Sequence, residues 1–417
     1  MIVGPVDNET CQASPMPVTI RDIEEAARRL SGTLRVLPPV RARWLEDLVG
    51  GPVYLFTENL QRAGSFKIRG AYNFIAQLSD EQKARGVVAA SAGNHAQGVA
   101  LAASILGVPV TVFMPEEASI PKVQATRDYG ADVRFAGSTI DESVDAALEF
   151  AAATGAVLVH PYDSDHIVAG QGTLGLEIAS AVPDLSTAVV CTGGGGLLAG
   201  ITLALASRTP GARVIGAQAV TAAAYPPSLD AGHPIRLEHM ATMADGIAVG
   251  RPGDVPFAVI AEHRVPIMTV TEDEISRAVV MLLERSKLLV EPGGAAATAA
   301  VMSNPGIYEP PVAITLSGGN VDSLVLMRIL RHGLAAAERF LTLVVRAPDR
   351  PGSLARLLSE IQRMRANVVD VDHNRLDPSL GVDEVEIVVD VETRGPEHAA
   401  EVVAALAAAG FTLTSVE

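Results

Sequence analysis

From about residue 50 to residue 320, short apolar runs alternate with longer stretches of helical period. The runs at 53–56, 87–90, 110–114, 133–135, 157–159, 188–191, 214–217, 267–270 and 312–316 read as strands. Between them, Ile140, Val144, Leu148 and Ala151 form one apolar stripe. Ile275, Val279, Leu282 and Leu283 form another, opened by a Thr271/Glu274 capping box. A first helix starts at Thr19, with Asp22 three residues on, after a polar, Pro-rich arm over residues 1–18. Unbroken apolar strands separated by helices predict an α/β architecture of parallel sheets covered on both faces. Residues 321–340 read as a helix that leaves this part of the chain.

After residue 340 the period changes. Leu341, Leu343 and Val345 alternate with Thr342, Val344 and Arg346, and the turn Asp349-Arg350-Pro351-Gly352 follows. Leu354, Leu357, Leu358 and Ile361 make a helical stripe. Val369 and Val371 mark a strand, and Val385, Ile387, Val389 and Val391 mark the next. A helix over about 396–409 precedes a last strand that begins with Phe411 and Leu413. The order βαββαβ predicts a ferredoxin-like unit. The chain thus divides into residues 1–340 and residues 341–417.

Composition narrows the function classes. Of 417 residues, 48% are hydrophobic and 19% charged, which excludes disorder as the overall state. The net charge of −16, with no basic cluster, argues against a nucleic-acid partner. Two cysteines, Cys11 and Cys191, supply neither a disulfide framework nor a zinc-binding spacing. No apolar run reaches the roughly 18–20 residues of a membrane span. The N-terminus lacks the basic and apolar regions of a signal peptide, so the expectation is a cytoplasmic chain without a membrane partner.

Four segments carry candidate chemistry. In Gly64-Ser65-Phe66-Lys67-Ile68-Arg69-Gly70, Lys67 is flanked by apolar side chains. Desolvation there lowers the amine's pKa and makes it a usable nucleophile, although an isolated lysine at a helix start is ordinarily a surface residue. Ser91-Ala92-Gly93-Asn94-His95 joins a strand to a helix, where free amides and the helix dipole suit a carboxylate. The alternatives are a plain βα turn and, for His95, a packing or capping role. Thr192-Gly193-Gly194-Gly195-Gly196-Leu197 is a second strand-to-helix turn. Four consecutive glycines cost backbone entropy and let amides wrap a phosphate. The segment matches neither a Walker A loop nor a dinucleotide fingerprint. Leu316-Ser317-Gly318-Gly319-Asn320 ends a strand, where a serine hydroxyl can meet a heterocyclic nitrogen without charging it. A nucleophilic amine, a carboxylate cradle, a phosphate cradle and a ring-nitrogen partner are the needs of pyridoxal phosphate acting on an amino acid.

Residues 50–325 resemble the fold-type II (tryptophan synthase β-like) pyridoxal-phosphate enzymes, and among them the threonine dehydratase (threonine ammonia-lyase) branch. The resemblance is carried by Glu58-Asn59-Leu60-Gln61 with Gly64 to Ala71, by Ser91 to Gly98, by Gly193 to Leu197, by Glu291-Pro292-Gly293-Gly294-Ala295 and by Ser317-Gly318-Gly319-Asn320. It implies two parallel-sheet lobes, the smaller (about 60–165) inserted in the larger. It implies pyridoxal 5'-phosphate as cofactor, with Lys67 as covalent tether and catalytic base. Phe66 would pack beside the ring and Asn94 bind its phenolic oxygen. Gly193, Gly194, Gly195, Gly196 and Leu197 would hold the phosphate, and Ser317 would meet the pyridine nitrogen. The backbone of Ser91, Ala92, Gly93, Asn94 and His95 would take the substrate carboxylate. The implied reaction removes water from L-threonine, yielding 2-oxobutanoate and ammonia, with L-serine as a further substrate.

Serine racemase is the nearest rival in this family. Racemisation needs a second acid/base group. That relative has a serine at the position of Ala92, and alanine transfers no proton. Its cation-binding carboxylates align with Gln218 and Ala224, so the resemblance implies elimination and no metal. A non-catalytic amino-acid sensor is a third reading, opposed by the intact Lys67. Residues 341–417 resemble an ACT domain, through the turn at Gly352 and Asn367 at the start of its second strand. The resemblance implies an amino-acid effector (isoleucine or valine) at Gly352 and Asn367, and a homodimer or homotetramer; a purely structural pairing module is the alternative.

Overall fold

The computed structural model describes residues 18–375 and 380–416. The arm expected over residues 1–18, Cys11 included, lies outside them except for Val18. Six strands form the larger sheet, in the order Val40–Arg41, Val53–Phe56, Val312–Thr315, Thr187–Cys191, Arg213–Ala219 and Ile267–Val270. The last five run parallel. A second, wholly parallel sheet has the order Asp132–Phe135, Val110–Met114, Val87–Ala90 and Val157–Leu158. In the chain it falls between Val53–Phe56 and Thr187–Cys191 of the larger sheet. Alternate residues of one strand serve two cores. Val189 and Cys191 pack with Ile215 and Leu316 on one face, while Ala188 and Val190 pack with Leu198 and Ile201 on the other. Burial on both faces is why these strands read as unbroken apolar runs.

The structure corrects the pattern in four places. Val40–Arg41 is an antiparallel edge strand that the pattern missed, because its two exposed residues carry no alternation. Three helices begin at Lys67, Asn94 and Gly196, earlier than the apolar positions Ala71, Ala96 and Leu198 predict. Their opening residues line a cavity rather than a core, so burial does not select apolar side chains at those positions. On helix Ile140–Thr154 the buried residues are Ser143 and Ala147, whereas Ile140 and Leu148 are 45% and 47% exposed. Close approach of that helix to the small sheet favours short side chains on the contact face. Finally, the register shifts between Val368 and Asp370, so Val368 and Val371 pack inward and Val369 points out.

Helix termini follow local chemistry. Thr19, Thr139 and Thr271 close capping boxes with Asp22, Glu142 and Glu274. Asp322 caps helix Ser323–Ala336, which leads into a third sheet. That sheet is antiparallel, in the order Asn367–Asn374, Glu384–Glu392, Phe340–Pro348 and Thr412–Val416. Helices Ser353–Arg363 and Pro396–Ala408 share its single core through Leu357, Ile361, Val402 and Leu406. Arg331 with Asp390 (2.9 Å) and Arg339 with Glu284 (2.8 Å) tie this unit to the preceding α/β part.

Candidate active site

A cavity of about 1140 Å³ opens between the two parallel sheets. Every residue named above for cofactor or substrate lines it: Phe66 and Lys67, Ser91 to His95, Gly193 to Leu197, and Ser317. They come from four strand ends and the helices that follow, the position where open α/β sheets bind ligands.

Lys67 opens helix Lys67–Ala76, and its Nζ donates to the carbonyl of Pro161 at 2.9 Å. Burial lowers its pKa to about 8, against the opposing pull of the Glu291 carboxylate. Phe66 lies beside the amine, with Nζ 5.2 Å from the ring centre, and its backbone N–H donates to the carbonyl of Ser317 at 3.1 Å. The amine and the end of strand Val312–Thr315 are thereby held together.

Asn94 opens helix Asn94–Leu106. Its amide nitrogen donates to Glu291 Oε1 at 2.5 Å, and its Oδ1 accepts from Asn320 at 2.8 Å. His95 is buried, and its Nε2 lies 2.7 Å from the carbonyl of Val159. Burial first, then Lys67, lowers its pKa to about 3, so the ring is neutral and Nε2–H donates to that carbonyl. That bond ties the turn to the chain just after strand Val157–Leu158. The amide of Gly93 donates to Ser91 Oγ at 3.2 Å, so the turn partly satisfies itself.

The glycine turn lies at the N-terminus of helix Gly196–Arg208, whose first amides have no intrahelical partner. Gly195 has φ +100°, and a Cβ there would strike the Tyr225 hydroxyl; one on Gly194 would strike the Tyr162 ring. Tyr225 in turn donates to the carbonyl of Gly194 at 3.2 Å. The turn is a bare-backbone cradle backed by two tyrosines, a surface suited to a phosphate. Ser317 is buried beside Cys191, a buried thiol whose pKa desolvation raises.

Several residues at the site had no role in the pattern reading: Glu291, Asn320, Pro161, Tyr162 and Tyr225. Glu291 carried one visible signal, a lone acid inside the apolar run from Leu288 to Ala300. At the cavity mouth, Lys122 pairs with Asp245, and Arg236 with Asp141 at 3.6 Å. Both pairs join the side of the smaller sheet to that of the larger. Gln218 is buried, and its Oε1 accepts from the amide of Tyr225 at 3.1 Å.

The C-terminal unit holds a second, smaller cavity of about 240 Å³, lined by Asp349, Gly352, His373 and Arg375 among others. Asn367 does not reach it. It lies exposed at the other end of strand Asn367–Asn374, roughly 23 Å away at about 3.3 Å per residue.

A lowered-pKa amine, a glycine cradle at a helix N-terminus and a serine at a strand end, all facing one cavity, fit pyridoxal phosphate. The family model described as pyridoxal-phosphate dependent enzyme matches residues 30–318, and the ACT domain model matches residues 341–408. The chain belongs to the pyridoxal-phosphate dependent enzyme family and ends in an ACT domain. It is 43% identical over 399 residues to an L-threonine ammonia-lyase of Thermotoga maritima, covering 96% of this chain and 100% of the relative. Its structure is similar to maize serine racemase, with TM-score 0.72 and 34% identity over 77% of this chain and 99% of that one. It is also similar to the processed form of threonine deaminase isoform 2 from Solanum lycopersicum, with TM-score 0.71 and 31% identity over 80% of this chain and 99% of that one. Among the described residues no helix is long and apolar enough to cross a membrane, and no group of three or more His, Cys, Asp or Glu could hold a metal ion.

Proposed function

We propose that this chain deaminates L-threonine to 2-oxobutanoate and ammonia by β-elimination of water, with L-serine as a second substrate. The observation that carries this reading is the convergence of the Lys67 amine, the Gly193–Gly196 turn and Ser317 on one cavity. Pyridoxal phosphate, when bound, withdraws electrons from Cα of the attached amino acid. The chain's part is to hold and to move protons. Lys67 would be the tether and, with its amine free, the base that takes the Cα proton. Its lowered pKa leaves a useful fraction of free amine near neutral pH. The amides of Gly193 to Leu197 would seat the phosphate, Asn94 would meet the phenolic oxygen and Phe66 would flank the ring. Ser317 would offer the ring nitrogen a hydroxyl rather than a carboxylate, which would leave that nitrogen uncharged. The Ser91–His95 turn orients the substrate carboxylate. The side chain of Ala92 carries no exchangeable proton, which argues against racemisation.

We assign catalysis to residues 1–340, with a smaller lobe over about 60–165, and regulation by isoleucine or valine to residues 341–417. Gly352 and Asn367 are far apart in one chain. Antiparallel pairing of two copies along the edge strand Asn367–Asn374 would bring Asn367 of one beside the Gly352 cavity of the other. This supports at least a homodimer.

A 2-oxo acid assay with L-threonine and L-serine, repeated with isoleucine and valine, tests the reading. Lys67→Ala should abolish both turnover and the visible absorbance of the bound cofactor; full turnover in that variant would defeat it. Sedimentation velocity tests the pairing, and a monomer at assay concentration would defeat that part.

A further inference from the structure

The geometry points to Glu291 as a positioning residue that, together with Asn320, determines which edge of the Asn94 amide faces the reacting end of the cavity. The inference rests on the reading above, which gives Asn94 a contact with the cofactor but gives Glu291 and Asn320 no role.

A backbone carbonyl cannot turn around. The carbonyl of Ala63 accepts from Asn320 Nδ2 at 2.7 Å, so the nitrogen edge of Asn320 is assigned by that bond. The same nitrogen donates to Asn94 at 2.8 Å, which requires Oδ1 of Asn94 on that side. The Asn94 nitrogen then points at Glu291 Oε1, 2.5 Å away, and a carboxylate only accepts. One of its two N–H groups is taken by Glu291, and the other is left for the cavity. A flipped Asn94 would set nitrogen against nitrogen at Asn320 and oxygen against oxygen at Glu291.

The surroundings are built around this relay. Ala63 has φ +58°, a left-handed conformation rare for alanine. Gly64, with φ +67°, has no room for a Cβ, which would strike the Asn320 side chain. A Cβ on Gly318 would strike Glu291 Oε1. Glu291 is buried and is the N-cap residue of helix Pro292–Ser303, and its own amide donates to the carbonyl of Gly318 at 3.1 Å. Four separate elements therefore meet at one amide.

The clamp at Glu291 works while that group is a carboxylate. Its pKa is raised to about 7, by burial first and then by Asp245, against the pull of Asn94, Lys122 and Lys67. Asp245, Lys122 and Lys67 are the charged groups facing it, from the Asp245–Ile247 turn and from helices Ile120–Asp128 and Lys67–Ala76. Protonation turns the acceptor into a donor and releases one side of the Asn94 amide.

The test is visible circular dichroism of the bound cofactor, recorded from about pH 5.5 to about pH 9 with kcat alongside, in wild-type, E291Q, E291L and N320A holoenzymes. In the wild type the visible band should change with a midpoint near neutral pH. E291Q still accepts from Asn94 but does not titrate, so it should keep the band and lose the step. E291L should shift the band at all pH values and lower kcat on the order of tenfold or more. An E291L band and pH profile matching wild type would overturn the inference, as would a neutral step that survives in E291Q. If E291L does not fold by far-ultraviolet circular dichroism, N320A decides. It should shift the band while keeping a titrating step, and an unshifted band overturns the inference. These outcomes leave the Lys67 reading intact, since that reading fails only if Lys67→Ala keeps the band and turnover.

Discussion

Arg69 and Glu58 face each other through two hydrogen bonds of 2.8 Å each, both side chains closed off from water, two residues along the chain from Lys67. Arg69 also donates to Glu177 at 2.6 and 2.8 Å and to Thr173 at 3.0 Å. The guanidinium thus joins the turn Glu58–Leu60 to helix Asp165–Ala181. Helix Lys67–Ala76 is held by this charge network as well as by its apolar face, Ile68, Ala71 and Ile75.

Arg69→Leu leaves Glu58 buried without a partner, whereas Glu177 is 45% exposed and can turn to water. We expect a loss of about 3–5 kcal/mol, read as a lower urea midpoint at neutral pH. Glu58→Leu on that background should restore part of it. An unchanged midpoint in Arg69→Leu would show that the network contributes little.

Lys67→Met should stabilise the cofactor-free protein at neutral pH. The folded-state pKa of Lys67 is lowered from 10.5 to about 8, so the unfolded chain holds the proton more tightly. Stability from this group is present above about pH 10.5 and is lost as pH falls through about 8. Below that, burying the ammonium costs up to about 3 kcal/mol. Thermal unfolding of the two cofactor-free proteins at neutral pH and near pH 11 checks the sign: the gain should shrink at the higher pH.

Gly195→Ala meets both a positive φ and the Tyr225 hydroxyl. The turn must then shift, and we expect the cofactor dissociation constant to rise on the order of tenfold or more. Adding Tyr225→Phe removes the struck oxygen and should recover part of the loss, leaving the backbone strain. Equal affinity in wild type and Gly195→Ala, measured by absorbance titration, would remove the turn from the binding site.

Asp245→Asn removes the negative neighbour that helps hold the Glu291 carboxyl high. The neutral-pH step assigned to Glu291 should therefore move to lower pH, in the cofactor's visible band and in kcat alike. A step that moves upward would contradict the electrostatic assignment.

The four inner strands of the larger sheet were legible because burial on both faces writes a nearly unbroken apolar run. The ferredoxin-like unit was legible for the opposite reason: Val385, Ile387, Val389 and Val391 alternate because one face of that sheet is packed. The bulge that turns Val369 outward was not, since a register shift depends on the partner strand.

The chain's own order of residues determined the kind of chemistry. Glycine runs, an amine between apolar neighbours and a serine after a strand are local features, and local backbone geometry is enough to give each a meaning. The partners were decided only by the tertiary structure. Asn94 and Glu291 are 197 positions apart, and Asn94 and Asn320 are 226 apart. What brings them together is the lateral order of strands and the cavity between two sheets. A hydrogen bond is specified by distance and direction in space, which no spacing along a chain of this length encodes.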